Sequence, residues 1–495
     1  MSYLLTIFIF SPLLGILALS MISDEKRARV IGIITTLIPL VCSFIVYGAY
    51  LSGTGFDTFA QKVDWIQFGK FDGQGDLFKI YFELGVDGLS FVLMMLTAVL
   101  AVLAAITAIK IKKNVKSFYI LFLLLETGML GVFAAQNLLL FFFFFELTLP
   151  AMFFLVGKWG KFASEKAAYS YLLYNGIGSA IMLLVFVIIF AITGTTNFHE
   201  AAAALQAGQG PLGPISESLK MGLFIALFIA LGIKLPIFPL HRWMVNVHVQ
   251  APPAVVMLHA GVLLKIGAYG MIRFGMGLFP AEFNYLAPLI AILGVINLLY
   301  GALIALVQKD LRSILAYSSI SHMGIVLIGL ASMNVAGVKG ALFQVVSHGL
   351  IAALLFFLVG ILENRYNTSD ITHLGGLAKQ VPLFSGFLLA AGMASLGLPG
   401  MSGFVGEFLA FLGLFQAMPI VAAIGTLGII LTAVYMLRAV LTITFGQYEL
   451  TTAGQDVKGY EFLPILVLMF FIIAIGVAPQ ILGGPLDSAL QMVGR

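Results

Sequence analysis

Apolar runs of about twenty residues, parted by short polar breaks, repeat along almost the whole chain. A helix rises about 1.5 Å per residue, so such a run is what it takes to cross the roughly 30 Å hydrocarbon core of a bilayer. The pattern predicts helices at about 3–21, 28–51, 84–109, 117–134, 138–157, 167–192, 219–247, 253–274, 284–306, 312–332, 336–362, 381–418, 420–446 and 462–480. That is an all-α integral membrane protein of about fourteen transmembrane helices. The stretches at about 52–83 and 193–218, rich in Gly and polar residues, read as loops. Two helices are interrupted: the seventh by Pro236 and Pro239 in GIKLPIFPLH, the twelfth by Pro399 and Gly400 in LGLPGMSGFVGE. Proline removes a donor and clashes with the preceding turn, so each segment reads as two half-helices.

The broken helices lie five helices apart, an odd offset that inserts the second unit upside down relative to the first. Matching breaks in inverted halves point to a transport site near the bilayer midplane. The expected organisation is N-terminal helices and loop (1–83), a third helix (84–116), a first inverted repeat (117–274), a second (284–446) and a C-terminal helix (447–495). Of the 26 Lys and Arg, 16 fall in odd-numbered connections and 7 in even-numbered ones or at the C-terminus; Lys234, Lys265 and Arg438 lie within helices. The positive-inside rule then puts both termini on the non-cytoplasmic side.

Composition agrees: 61% of residues are hydrophobic and 10% charged, against nearly half and a quarter in soluble domains. The net charge of +4 and the lack of a basic block give no nucleic-acid partner. A lone Cys42 excludes a disulfide framework and a thiolate cluster. The N-terminus has no basic residue before its apolar run, so the first segment reads as a retained helix rather than a secretory signal.

Against this background Glu126, Glu146, Lys234, Lys265 and Glu407 stand out, each deep in a predicted span. A charge at a helix centre costs about 2.5–3.5 kcal/mol on insertion scales. Such groups pair, meet water or change protonation, and they mark ion pathways; the alternative is a set of structural ion pairs. Desolvation and an opposite charge act on a buried group in opposite senses, so a Glu146–Lys234 pair would be a switch that holds the lysine's proton when closed and frees it when open. Arginine does not release its proton, which is why a pump would use lysine here. Glu407, with no cation along its own helix, reads as a gate to the exterior; the alternative is an ion pair with Lys265 or Arg438.

Imidazole can give or take a proton near neutral pH. His241 and His322, the latter beside Ser318, Ser319 and Ser321, read as relay or water-organising residues. His259 and His348 read equally well as packing residues, and Arg438 as a relay terminus or a snorkelling side chain. No His/Asp/Glu cluster shows metal spacing, and no Walker loop, dinucleotide fingerprint, haem or iron–sulfur motif is present, so no cofactor is expected.

GIKLPIFPLHRW, followed by HVQAP and AGVLLKIGAYGMIRF, resembles the antiporter-like membrane subunits of complex I, the proton-pumping NADH–quinone oxidoreductase. LAYSSISHMG and LPGMSGFVGEF look like later signatures of the same family, and the likeness spans about 84–446. It implies fourteen helices with two inverted five-helix units, and it is strongest to the M branch (mitochondrial subunit 4 type). There Glu146 and Lys234 would be the first-half pair, Lys265 the central connector and Glu407 the residue serving the exit. His241, His322 and His348 match positions that line a hydrated axis. After HRW this chain reads MVNVH where the family usually reads LPDAH, and Met257-Leu258-His259 replaces small residues, which leaves His248 and His259 without an assigned role. The resemblance implies a proton-translocating subunit in a hetero-oligomer with L- and N-type relatives, in an energy-conserving membrane such as a bacterial plasma membrane, with NADH and quinone sites on other subunits. A subunit of a multi-subunit sodium/proton antiporter, or a scaffold with fossil charges, are the other readings.

Overall fold

The computed structural model describes residues 3–70, 77–447 and 454–490. Arg495, one of the charges counted above, lies outside them. The helices of nine residues or more are, in chain order, α1 (Leu4–Ser20), α2 (Glu25–Leu51), α3 (Gly88–Thr107), α4 (Val115–Ala134), α5 (Leu138–Trp159), α6 (Ser164–Thr193), α7 (Phe198–Ala207), α8 (Glu217–Lys234) and α9 (Arg242–Gln250). They continue as α10 (Pro253–Met276), α11 (Pro280–Val307), α12 (Leu311–Ala331), α13 (Val335–Tyr366), α14 (Pro382–Ser395), α15 (Ser402–Ala417), α16 (Pro419–Phe445), α17 (Gly459–Val477) and α18 (Gln480–Leu490). Local chemistry sets many of the starts. Asp87, Asn137, Ser216, Asp310 and Asn334 cap α3, α5, α8, α12 and α13 by accepting from a backbone N–H, and proline opens α10, α11, α14 and α16.

Among the described residues eleven helices are long and apolar enough to cross a membrane. Fourteen crossings follow only if α1 and the two interrupted pairs, α8–α9 and α14–α15, each count as one. Both breaks fall where the prolines put them. Leu235–His241 separates α8 from α9, and Leu396–Met401 separates α14 from α15. In the second break Gly397 and Gly400 take φ of 76° and 91°, a left-handed backbone that a side chain resists.

The loop reading at 52–83 gives way to an antiparallel hairpin, β1 (Gln61–Lys70) with β2 (Leu77–Leu84). Alternation in QKVDWIQF and LFKIYFEL carries it, a two-residue period that sits among Gly and polar residues. Asn137 donates to the Tyr81 carbonyl at 2.6 Å and Asn197 to Glu83 at 2.8 Å, tying the hairpin to α5 and α7. Residues 193–218 contain α7 and a two-residue hairpin rather than open loop.

Burial is graded across the bundle. The apolar windows of α2, α6 and α16 are 39%, 33% and 33% buried, those of α10, α12 and α13 94%, 94% and 100%. These last three carry Lys265, His322 and His348, so three of the candidate residues sit on the most enclosed helices. Gly261 and Gly349 let α10 and α13 touch: a Cβ on Gly349 would come within 2.8 Å of the Gly261 carbonyl. Two π turns, His259–Leu263 and Met271–Met276, flank Lys265 within α10, a widening often found at functional sites.

Candidate functional site

Lys234 is the last residue of α8 and 2% exposed. The helix C-terminus carries partial negative charge and holds an ammonium well. Its Nζ donates to the Tyr171 hydroxyl at 3.5 Å and lies 4.9 and 5.5 Å from the centroids of Phe145 and Tyr171. Glu146, next to Phe145 on α5, acts on Lys234 only at longer range, and its Oε2 has no hydrogen-bond partner. The expected Glu146–Lys234 pair is therefore open among the described residues, with aromatic rings against the ammonium.

From there a line of buried polar groups runs into the second half. Tyr171 meets His259 edge to face, ring centroids 6.0 Å apart, and Trp243 stands 5.4 Å from the same imidazole. His248 at the end of α9 and His259 at the π turn of α10 share a hydrogen bond, Nε2 to Nδ1, of 2.9 Å, and both are fully buried. Phe356 of α13 stands 5.0 Å from His248 and also lines a small cavity, about 10 Å³, with Ser318, Ser319, His322, His348 and Ser395. That is about the space of one water.

Lys265 completes the centre. Its Nζ lies 2.7 Å from His348 Nδ1 and 3.8 Å from the Met323 sulfur. His348 and His322 are neighbours, centroids 5.3 Å apart. His322 Nδ1 faces Gln344 Nε2 at 3.0 Å and the Glu407 carboxylate at 3.6 Å, and its Nε2 lies 3.4 Å from the Ser395 hydroxyl. Glu407 thus meets an imidazole, and neither Lys265 nor Arg438 forms an ion pair with it among the described residues. Gly397 is needed here as well as in the turn, because a Cβ there would collide with the Glu407 carboxylate.

Three expected residues stand apart. His241 packs against Phe238 and Tyr300, its Nδ1 without a partner. Glu126 is fully buried on α4, and among the described residues neither carboxyl oxygen has a hydrogen-bond partner. Arg438 donates to the carbonyls of Leu306 and Gln308, closing the C-terminus of α11.

Residues 135–433 match the sequence profile of the NADH:quinone oxidoreductase/Mrp antiporter transmembrane family. The chain belongs to this family. It is 34% identical over 497 residues to NADH-quinone oxidoreductase subunit M of Rhodobacter capsulatus, covering 97% of this chain and 94% of that one. Its structure is similar to a chain of respiratory complex I from Thermus thermophilus, with a TM-score of 0.86, 29% identity and 99% of each chain covered. A chain of the Mrp complex from Dietzia sp. shares the fold, with a TM-score of 0.83 at 21% identity over 99% of this chain and 97% of that one.

Within this family member, several site residues carried weak signals in the sequence. Tyr171 looked like one more aromatic in an apolar helix. The His248–His259 bond crosses a turn at Pro252 and Pro253 that helical spacing does not describe. Asn297 donates to the carbonyls of Pro236 and Ile320 and accepts from Phe238 N–H at 2.7 Å, stapling α11 to the first break. A lone Asn inside VINLLYG was its signal, since a buried amide needs partners.

Proposed function

We propose that this chain is the M-type, proton-translocating membrane subunit of an NADH–quinone oxidoreductase, and that it moves protons without redox chemistry of its own. The observation that supports this most directly is the 2.7 Å contact between Lys265 and His348 at the centre of the bundle. It lies between Tyr171, Lys234 and the His248–His259 pair on one side, reached through Phe356 and the small cavity, and His322 and Glu407 on the other. Apart from Phe356, each group named can hold or pass a proton. In this reading redox-driven changes in partner subunits shift the helices, Glu146 approaches or leaves Lys234, and the lysine's proton is held or released along the line. Glu407 serves the exit through His322. His241 and Glu126 would act on branches of the route.

The same reading takes 117–274 and 284–446 as inverted repeats, each with one interrupted helix. It places both termini on the non-cytoplasmic side of a bacterial plasma membrane, beside L- and N-type subunits. NADH and quinone would bind elsewhere in the assembly.

The test replaces Lys234 or Glu146 by Ala in the intact complex. Assembly and electron transfer in detergent should persist while proton uptake into proteoliposomes falls at least several-fold. Uptake at the parental rate with normal assembly removes that residue from the route.

A further inference from the structure

Arg312 sits one residue into α12 and is 1% exposed. Its Nε and NH2 donate to the two oxygens of Glu363, near the end of α13, at 2.7 Å each. Its NH1 turns the other way and donates to the carbonyls of His248, Val249 and Ala251 at 3.2, 3.3 and 2.6 Å. Those carbonyls close α9, and a helix leaves its last four without partners inside the helix. One guanidinium therefore ends the half-helix that carries His248.

The grip has a second arm. Lys161, between α5 and α6, donates from Nζ to Glu363 at 2.5 Å and from its backbone N–H to the Gln250 carbonyl at 2.8 Å. The Gln250 side chain accepts from Ala163 N–H at 3.2 Å. The end of α9 is thus held at once from α12, α13 and the α5–α6 connection. That matters because α9 has nine residues, too few to hold a helix by themselves. It begins at the Pro236–Pro239 break, so its position depends on what grips its ends.

We infer that Arg312, with Glu363, is a positioning residue that keeps the end of α9 in place so that His248 stays within hydrogen-bond distance of His259. The inference rests on the proton route proposed above. A slip of about 1 Å at a reacting pair costs up to a hundredfold in rate. Lysine would not serve, because it offers a point charge where guanidinium offers a planar fork with five donors.

The experiment uses the full complex with Arg312→Lys, which keeps a cation beside Glu363 and gives up the fork. Expected are near-parental assembly and quinone reduction, with about tenfold slower proton uptake through this subunit at matched electron flux. A second readout separates positioning from bulk stability. Combined with His259→Ala, Arg312→Lys should add nothing further, because both act on the same link. Parental proton uptake in Arg312→Lys, or full addition of the two losses, overturns the inference. Should Arg312→Lys fail to accumulate, Glu363→Gln, which preserves shape and loosens the fork, carries the same two readouts. Lys234→Ala run in parallel keeps the failures apart. If it pumps normally, the route itself is wrong; if it does not pump while Arg312→Lys does, only the positioning inference falls.

Discussion

Glu407 shows what one side chain does here and what it does not. It is 6% exposed, 3.6 Å from His322 Nδ1, and faces a glycine that leaves room for its carboxylate. A permanent buried ion pair would be costly to break, about 3–5 kcal/mol when one partner is removed. A gate would tolerate a neutral isostere. Glu407→Gln is expected to assemble normally and lose most proton uptake, measured in proteoliposomes by a pH-sensitive dye. Loss of assembly would instead mark a structural pair with His322, and full retention of both would remove Glu407 from the mechanism. Lys234 differs, since its contacts are the rings of Phe145 and Tyr171 and one hydroxyl. An ammonium over aromatic faces is stabilised by about 0.5–2 kcal/mol. In the proposed route that would hold it while Glu146 is away and leave it free to respond when Glu146 comes near.

At the scale of elements, the interrupted helices were legible because proline and glycine act locally. The breaks fall at Pro236–Pro239 and Gly397–Gly400, where those residues forbid a continuous ladder of hydrogen bonds. What holds a break open was harder to read, because the partners are distant in sequence. Asn297 is about sixty residues from Phe238 N–H, yet it satisfies that donor and the Ile320 carbonyl together. Asn297→Leu leaves the donor buried and unpartnered, at about 1–3 kcal/mol. The variant is expected to accumulate with a lower apparent melting temperature in detergent, whereas a surface substitution such as Leu289→Ala leaves it unchanged. The same limit explains the rest of the site. Glu146, Lys234, Lys265 and Glu407 were visible as charges in apolar runs, since a single residue type in the wrong solvent suffices to flag them. The His248–His259 bond, Tyr171 and Arg312 depend on a turn and on helix packing, which hydrophobic periodicity does not encode. The β1–β2 hairpin was missed for a related reason: alternation over eight or ten residues is a weaker signal than a twenty-residue apolar run.

Across the whole molecule, burial and charge divide the labour. Of the helices with the least buried windows, α2 and α16 carry none of the central line and α6 only Tyr171, while α10, α12 and α13 carry Lys265, His322 and His348. In the proposed topology the Lys and Arg excess in odd-numbered connections would set the orientation. A periplasm-active reporter fused after Arg495 should be active, and one inserted after Lys113 inactive; the reverse pattern would turn the chain over. The grip on α9 joins the α5–α6 connection, α12 and α13, so in the proposed two-repeat organisation a displacement of the second half would reach the first half's broken helix directly.

The imidazole pair has one more consequence. A bond from one neutral ring to another has a direction, since the donor's outer nitrogen is bare and the acceptor's carries the hydrogen. The two outer nitrogens, His248 Nδ1 and His259 Nε2, have no hydrogen-bond partner among the described residues. A proton that enters at the bare end and leaves at the other reverses the bond, and a second cannot follow from the same side until both rings turn over. Tyr171, Trp243 and Phe356 crowd those rings, so they can turn only when the surrounding helices part. If the proposed route runs through this pair, such a conduit would deliver one proton and then stand refractory. Its throughput would be set by how often the protein rewinds it, and a steeper gradient alone would not make it leak.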